Sequence, residues 1–494
     1  MTRPAFLLPV LVVALALGLD FLFLGGKTLW NDEAVSFYAG LDGIGSVLEW
    51  TAQDVHPPLY YLALSAWMRL GDGEAALRAL SAFSMAGAAL FTFLAARRLI
   101  GPGPGFVAAL LFLSNPTTVS WAQKARPYGL QTLLLSIALW GFVAGWLTLR
   151  DQRRRWFTGT GGLATDLACL AYVLGGGLGM LAQHQGGFFV LGCNLAMLAV
   201  LVRLWRDGDG VAAFRLLGSW VVAQILLIAI WACWLPWFIA QYHDHLTASG
   251  LHGHGNYLVN GAQLRDIVIG LLGTAYVWRL KLALFALFMA VAIPSCLMLA
   301  RQRSDKRLVL VLFAAPLAVC LAGFAFVHPV FGYVIGTFPW LLMPYCMVLA
   351  SGIAALPWRP AGAAVLGVLL AANVLGLRNY YATPHQPLDQ AAAFIAADAR
   401  AGDGFMVSTT DATRKGIGYY LRRGGKDGLI DVSVFGPAMA RDLDAALSHQ
   451  RVWLILPLEE EPAVSLDVLR QRFTLAAETR FGDLRVFRFD QTTR

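Results

Sequence analysis

"FLLPVLVVALALGLDFLFLGGKTLWNDEAVSFYAG", Phe6–Gly40, runs apolar past a single acid, Asp20, and then places two adjacent carboxylates, Asp32 and Glu33, between Trp30 and Phe37. The apolar part is long enough to cross a hydrocarbon core of about 30 Å as a helix. One arginine precedes it, as in a signal peptide, but no small-residue cleavage site precedes Asp20, so the segment reads as an uncleaved first helix. An interfacial anchor needs no acid pair, and acids in loops contribute little to topology. The pair asks for a chemical reason.

The rest of the chain shows what surrounds it. Hydrophobic residues make up 58% of the 494 and charged residues 14%, with a mean hydropathy of +0.61. Soluble globular chains are nearer half apolar and a quarter charged. Apolar runs at 5–24, 78–96, 104–121, 129–149, 162–181, 187–204, 217–239, 281–300, 308–327, 333–356 and 361–377 give about eleven candidate spans by the ~20-residue criterion. A polytopic α-helical membrane protein is expected. From Arg378 onward fifteen bases balance fifteen acids, so the whole net charge of +8 belongs to the membrane part. The basic pI of 9.3 is then a matter of topology, and no nucleic-acid partner is expected. The six cysteines all fall in apolar segments without a CxxC spacing, which suits packing as small hydrophobes better than disulfides or a zinc ribbon.

Arginine alternates along the chain. "ARRLIGPG", "RDQRRRW", "RLWRDGDG", "RQRSDKR" and "PWRP" are short and arginine-bearing, whereas "AQHQGG" and "VHPVFG" contain no Lys or Arg. With a cytoplasmic N-terminus this is the positive-inside pattern of a multi-pass inner-membrane protein. The loop 25–77, "WAQKARPY" (121–128) and the loop around 240–280 then share the outer face with the C-terminus. A transmembrane module 1–380 is followed by a soluble extracytoplasmic α/β domain, 385–494. In it "FMVSTT" and "VWLILPL" read as buried strands, "LRVFRF" as an alternating strand and "SLDVLRQRF" as an amphipathic helix. No short-period repeat or matching halves are visible.

Three outer segments concentrate polar and aromatic residues: the acid pair, "QDVHPPLYYLAL" (Gln53–Leu64) and "WAQKARPYGL" (Trp121–Leu130). Pro57 and Pro58 stiffen the entry to a short helix, where proline is tolerated in the first turn. Carboxylates and a basic patch on one membrane face suit transfer chemistry on a phosphorylated lipid. A base must take a proton from the attacking hydroxyl, and cations must hold the leaving phosphate.

Together, "WNDEA", "HPPLYYLAL", "GEAALRALSA", "AARRLIG" and "AQKARPYGL" resemble the PMT-like, GT-C superfamily of membrane glycosyltransferases, in particular its bacterial Rgt-type and ArnT-like branch. The resemblance implies inverting transfer from a polyprenyl-phosphate sugar to a cell-envelope acceptor (lipid A or lipopolysaccharide, another glycan, or protein). The partners it implies are that donor, membrane lipids and the acceptor, and no cofactor is required. By the same resemblance Asp32 falls on the catalytic acid and Glu33 on its companion. His56, with Tyr60 and Tyr61 in the same segment, falls on the substrate entrance, and Lys124, Arg126 and Tyr128 fall near the donor phosphate. Relatives often carry an Arg-Tyr pair entering a late helix, whereas here "HPVFGYVIGTFPW" has Gly332 before Tyr333.

Blander roles compete with these. Asp32 and Glu33 can be solvated loop acids, His56 a helix cap, and Lys124 with Arg126 interfacial anchors. "QYHDHLTASGLHGHGN", with His243, Asp244, His245, His252 and His254, can ligate a divalent metal, although its spacing matches no standard zinc pattern. A flippase or transporter of lipid-linked sugars is the main functional rival. It would place its ionisable residues within spans rather than in outer loops.

Overall fold

The computed structural model describes residues 3–156, 162–248, 261–326, 337–407, 411–426, 431–434, 448–457 and 465–491. "HPVFGYVIG" (328–336) and His252 with His254 lie outside them, so the readings placed there stay outside the described residues.

Seven helices among the described residues are long and apolar enough to cross a membrane: Glu74–Ile100, Tyr128–Asp151, Leu163–Ala182, Gly186–Arg206, Gly210–Ala232, Trp278–Arg301 and Arg359–Ala382. Each overlaps an expected span. The expected spans 5–24, 104–121, 308–327 and 333–356 fall on shorter apolar helices at Leu7–Phe21, Pro102–Leu113, Arg307–Ala322 and Pro339–Ala355. Length alone does not make these spans.

Two runs read as continuous are broken. The one at 104–121 stops at Leu113 and restarts as Pro116–Ala122, because Asn115 caps the new helix by accepting from the Thr117 N–H at 2.8 Å. Pro116 then sits at the first helical position, where its missing N–H costs nothing. The run at 217–239 ends at Ala232 and restarts at Leu235, with Pro236 again in a first turn.

The chain divides into two compact units. Residues 1–24, 43–71 and 76–382 form the first, and 25–42, 72–75 and 383–494 form the second. In the first, the helices Tyr128–Gly141 and Leu163–Ala182 approach backbone to backbone. A Cβ added at Gly141 would lie 2.5 Å from the Tyr172 nitrogen, and one at Gly175 2.5 Å from the Leu134 carbonyl. Small residues permit such approach where lipid offers no hydrophobic drive for helix association. A single π-helical turn, Phe142–Trp146, follows, and its rings pack with those of Trp156, Tyr172 and Trp220. Three of the arginine-bearing loops meet at one end of this unit. There Arg150 forks onto Asp305 at 2.9 and 2.7 Å, and Arg150, Arg203, Asp207, Asp305 and Arg307 line a cleft of about 380 Å³.

The second unit holds a five-stranded sheet: β1 Gly404–Val407, β2 Asp431–Val434, β3 Arg451–Pro457, β4 Phe473–Phe481 and β5 Leu484–Gln491, in the order β2-β1-β3-β5-β4. β2, β1 and β3 are parallel, and β3, β5 and β4 antiparallel. Gly482 turns the β4–β5 hairpin at a φ of +53°, a left-handed conformation that suits glycine. One face of the sheet packs Phe405, Trp453, Ile455 and Val486 with Leu388, Ile395, Ile417 and Leu421 of the helices Leu388–Asp398 and Asp411–Arg423. The other packs Val452, Leu454 and Phe487 with Leu469 of the helix Ser465–Arg472. The expected strands at 405–410, 452–458 and 484–489 overlap β1, β3 and β5, while no expected strand covers β2 or β4.

Candidate active site

The acid pair lies in the second unit, in the first turn of the helix Asn31–Leu41. Its two members have different surroundings. Glu33 is fully buried, and its Oε2 accepts from the Trp30 N–H at 2.8 Å, reaching back across the first turn as in a capping box. That bond fills one of the orphan donors at the helix start. Asp32 is only half-buried. Its backbone carbonyl accepts from Ser36 Oγ at 3.1 Å.

This short helix packs on the helix Asp411–Arg423 of the same unit. Phe37 is buried edge-on against Tyr419, ring centres 5.0 Å apart, and Asn31 Nδ2 donates to Thr413 Oγ1 at 3.1 Å. Upstream, the Leu29 N–H donates to the Tyr420 hydroxyl at 2.8 Å, and Thr28 bonds the Gln386 carbonyl at 2.7 Å. The strap 72–75 is held likewise: the Tyr419 hydroxyl donates to the Asp72 carbonyl, and Arg423 pairs with Glu74 at 3.0 Å. Burial pushes the Tyr419 phenol up to about 12 despite Arg423 beside it, so it remains a donor at neutral pH.

In the first unit the remaining expected residues gather around Arg126. His56 Nδ1 lies 2.9 Å from Asp54 Oδ2, and His56 Nε2 lies 3.3 Å from Arg126 Nη2. A guanidinium can only donate, so Nε2 accepts and the imidazole proton sits on Nδ1, directed at Asp54. Burial works against the charge on Asp54, but the hydrogen bond from His56, another from the Val55 backbone and the charge of Arg126 outweigh it and hold the carboxyl below the usual range. The result is a relay from carboxylate through imidazole to guanidinium, which fixes Arg126 in a nearly buried position. His56 does not cap the helix Leu59–Trp67; Pro58 occupies that position.

Aromatic residues wall this relay. Tyr61 stands edge-on to His56, Trp50 and Tyr60, and its hydroxyl is buried without a hydrogen-bond partner among the described residues. Burial pushes its phenol well above the ordinary range. Trp121 and Tyr128 pack edge-on at 4.3 Å, and the Lys124 ammonium lies 4.4 Å above the Trp121 ring, a cation–π contact. Gln123 ties the segment to the end of the first helix by donating to the Asp20 and Leu22 carbonyls at 3.0 and 2.7 Å. Gly129 permits the close passage of Ser81, whose carbonyl would lie 3.0 Å from an added Cβ. Among the described residues, no group of three His, Cys, Asp or Glu stands close enough to hold a metal ion.

No family model and no curated protein matches the chain. Solved structures do match. ArnT from Cupriavidus metallidurans in the apo state superposes with a TM-score of 0.63 at 14% identity, covering 99% of this chain and 98% of that one. The same protein bound to undecaprenyl phosphate gives 0.59 at 13% identity, covering 97% of each chain. The oligosaccharyltransferase AglB from Archaeoglobus fulgidus, in complex with an inhibitory peptide and a dolichol-phosphate, gives 0.54 at 11% identity over 92% of this chain and 70% of that one. The chain has the GT-C fold.

Within this GT-C fold His56, Tyr60, Tyr61 and Arg126 come together, as do Lys124 and Tyr128 around Trp121, while Asp32 and Glu33 belong to the other compact unit. Two further residues inside the quoted motifs take part. Asp54 is two residues before His56, a spacing that lets the two side chains meet outside a helix, and Gln123 has no neighbour in sequence that explains it. His184, in the loop "AQHQGG" that contains no Lys or Arg, lies close to His56.

Proposed function

We propose that the protein is an inverting glycosyltransferase that moves a sugar from a polyprenyl-phosphate carrier to a hydroxyl of a cell-envelope acceptor, on the outer face of the cytoplasmic membrane. The observation that carries this reading is the nearly buried Arg126, held in place by His56 and Asp54. A guanidinium so fixed suits a phosphate, which it can grip with charge-assisted hydrogen bonds. The fold shared with an undecaprenyl-phosphate-bound ArnT supports the same chemistry.

In the proposed reaction the acceptor oxygen attacks the sugar's anomeric carbon as its proton passes to Asp32. The bond from that carbon to the phosphate oxygen breaks, and the electron pair leaves with the polyprenyl phosphate, whose charge Arg126 and Lys124 offset. Attack opposite to the leaving group inverts the anomeric centre. Purified protein given a radiolabelled sugar on undecaprenyl phosphate should then transfer it to envelope material. Turnover of a soluble nucleotide sugar with no lipid carrier present would contradict the reading.

The location follows from the alternation of arginine between loops, several of which do share one end of the first unit. An alkaline phosphatase fused near Asp411 should be active, as only exported phosphatase is. A fluorescent, cytoplasmic fusion at the same point would place the second unit, and Asp32 with it, on the wrong side for a lipid-linked donor.

A further inference from the structure

At one end of the first unit, side chains tie four arginine-bearing stretches together. Arg98 Nη2 donates to Thr148 Oγ1 at 3.2 Å, and Arg150 forks onto Asp305. Arg203 Nη1 lies 3.7 Å from the same carboxylate, and Arg153 pairs with Asp209 at 2.9 Å. Residues 97–98, 150–155, 203–209 and 301–307 hold twelve bases against four acids, an excess of eight. Each of those acids already has an arginine within 4 Å: Arg150 for Asp151 and Asp305, Arg203 for Asp207, and Arg153 for Asp209. The excess is therefore positive charge that the protein itself does not neutralise.

Part of that charge lines the cleft of about 380 Å³, a size within the ~300–1,000 Å³ of ligand sites. Val200, Leu204 and Leu308 give the cleft an apolar side. Arg150 is committed to two aspartates, and Arg203 has only its two contacts at 3.7 Å. Arg307 is half-buried at the start of the helix Arg307–Phe326, and its guanidinium has no hydrogen bond or ion pair among the described residues. Orientation in a membrane needs only enough bases in a loop, not an unpartnered one set into a cavity. Beside the cleft, Leu195, Leu198, Val202 and Trp205 form an exposed stripe on the helix Gly186–Arg206, at i, i+3, i+7 and i+10. A tryptophan ending such a stripe marks the level of lipid headgroups.

We propose that this cleft binds an anionic phospholipid, with Arg307 and Arg203 holding its phosphate and an acyl chain lying along Leu198 and Val202. Guanidinium forks match phosphate oxygens, and basic pockets between helix ends take acidic headgroups. A glycerol headgroup brings no cation, whereas a choline headgroup would set its ammonium among the arginines. A free phosphate would use the arginines and leave the apolar stripe idle. The leaflet rests on the topology proposed above, which makes it the cytoplasmic one; the site itself does not.

The test is native mass spectrometry of the full chain in detergent, titrated with dioleoyl-phosphatidylglycerol or with dioleoyl-phosphatidylcholine. Wild-type protein should bind the glycerol lipid about tenfold more tightly than the choline lipid. R307Q should weaken the glycerol lipid about tenfold and leave the choline lipid unchanged. R307K, which keeps the charge but not the planar fork, should fall between R307Q and wild type. R301Q removes an exposed charge outside the cleft, which salt screens, and should stay within about twofold of wild type. Equal affinity for the two lipids would overturn the site. So would an R301Q as damaging as R307Q, which would mean a diffuse basic surface. Displacement of the glycerol lipid by millimolar inorganic phosphate would mean an anion site without a lipid, and would overturn it as well. None of these outcomes bears on the transfer reaction, whose donor is assayed separately.

Discussion

Asp32→Asn should lower turnover by roughly 10²–10⁴-fold, the range that a positioned general base contributes. The amide keeps the size and polarity of the side chain but cannot take up the acceptor's proton. The change leaves the supports of the helix intact, because Glu33 holds the Trp30 N–H, Phe37 packs on Tyr419 and Ser36 bonds a backbone carbonyl. Binding of undecaprenyl phosphate should therefore be retained. Glu33→Gln is the informative control. Its amide oxygen can still accept from Trp30, so activity should stay within about tenfold of wild type, while Glu33→Ala should cost about 1 kcal/mol of stability through the lost cap. Single-turnover kinetics on folded protein decide the matter. Near-normal turnover for Asp32→Asn, or a dead Glu33→Gln, would remove Asp32 from the role of base.

The second large effect is expected from Arg126→Ala. Removing one partner of a buried, hydrogen-bonded charged contact costs roughly 2–5 kcal/mol, much of it from the group left behind. In donor affinity that is a loss of about 30-fold to several-thousand-fold. The substitution also strips His56 Nε2 of its donor, so the loss should exceed that of His56→Ala, which leaves the guanidinium present but less firmly held. Arg126→Lys should fall between them, since an ammonium supplies charge without the planar fork. Titration of bare undecaprenyl phosphate separates this contact from any contact to the sugar. Wild-type affinity in Arg126→Ala would mean that the phosphate is held elsewhere.

Much of the helical framework was legible because a run of about 20 apolar residues has few fates other than a span. The breaks were harder. "LSNP" at Leu113–Pro116 carries both an N-cap and a first-turn proline, but uniform hydropathy on either side hides the interruption. In the second unit β1, β3 and β5 showed themselves by their buried apolar faces, whereas β4 is largely exposed along its length and β2 is only four residues long. At the candidate site, "HPPLYY" and "KARPY" mark the two segments that meet through His56 and Arg126. The pairing of His56 with Arg126 spans 70 residues, and no local pattern encodes it.

The assignment of residues 25–42 to the same compact unit as 383–494 bears on how such proteins can be recombined. The acid-bearing helix owes its anchorage to Thr413, Tyr419 and Tyr420, nearly 400 positions downstream. The C-terminal sheet is therefore no detachable appendage that could be trimmed or traded at a boundary near Thr383. A hybrid with a relative would have to exchange the early strap and the late domain as one cassette, cut at five points: two around 25–42, two around 72–75 and one at the entry to 383–494. A donor sequence that supplied only the late piece would leave Phe37 and Asn31 facing a surface never shaped for them.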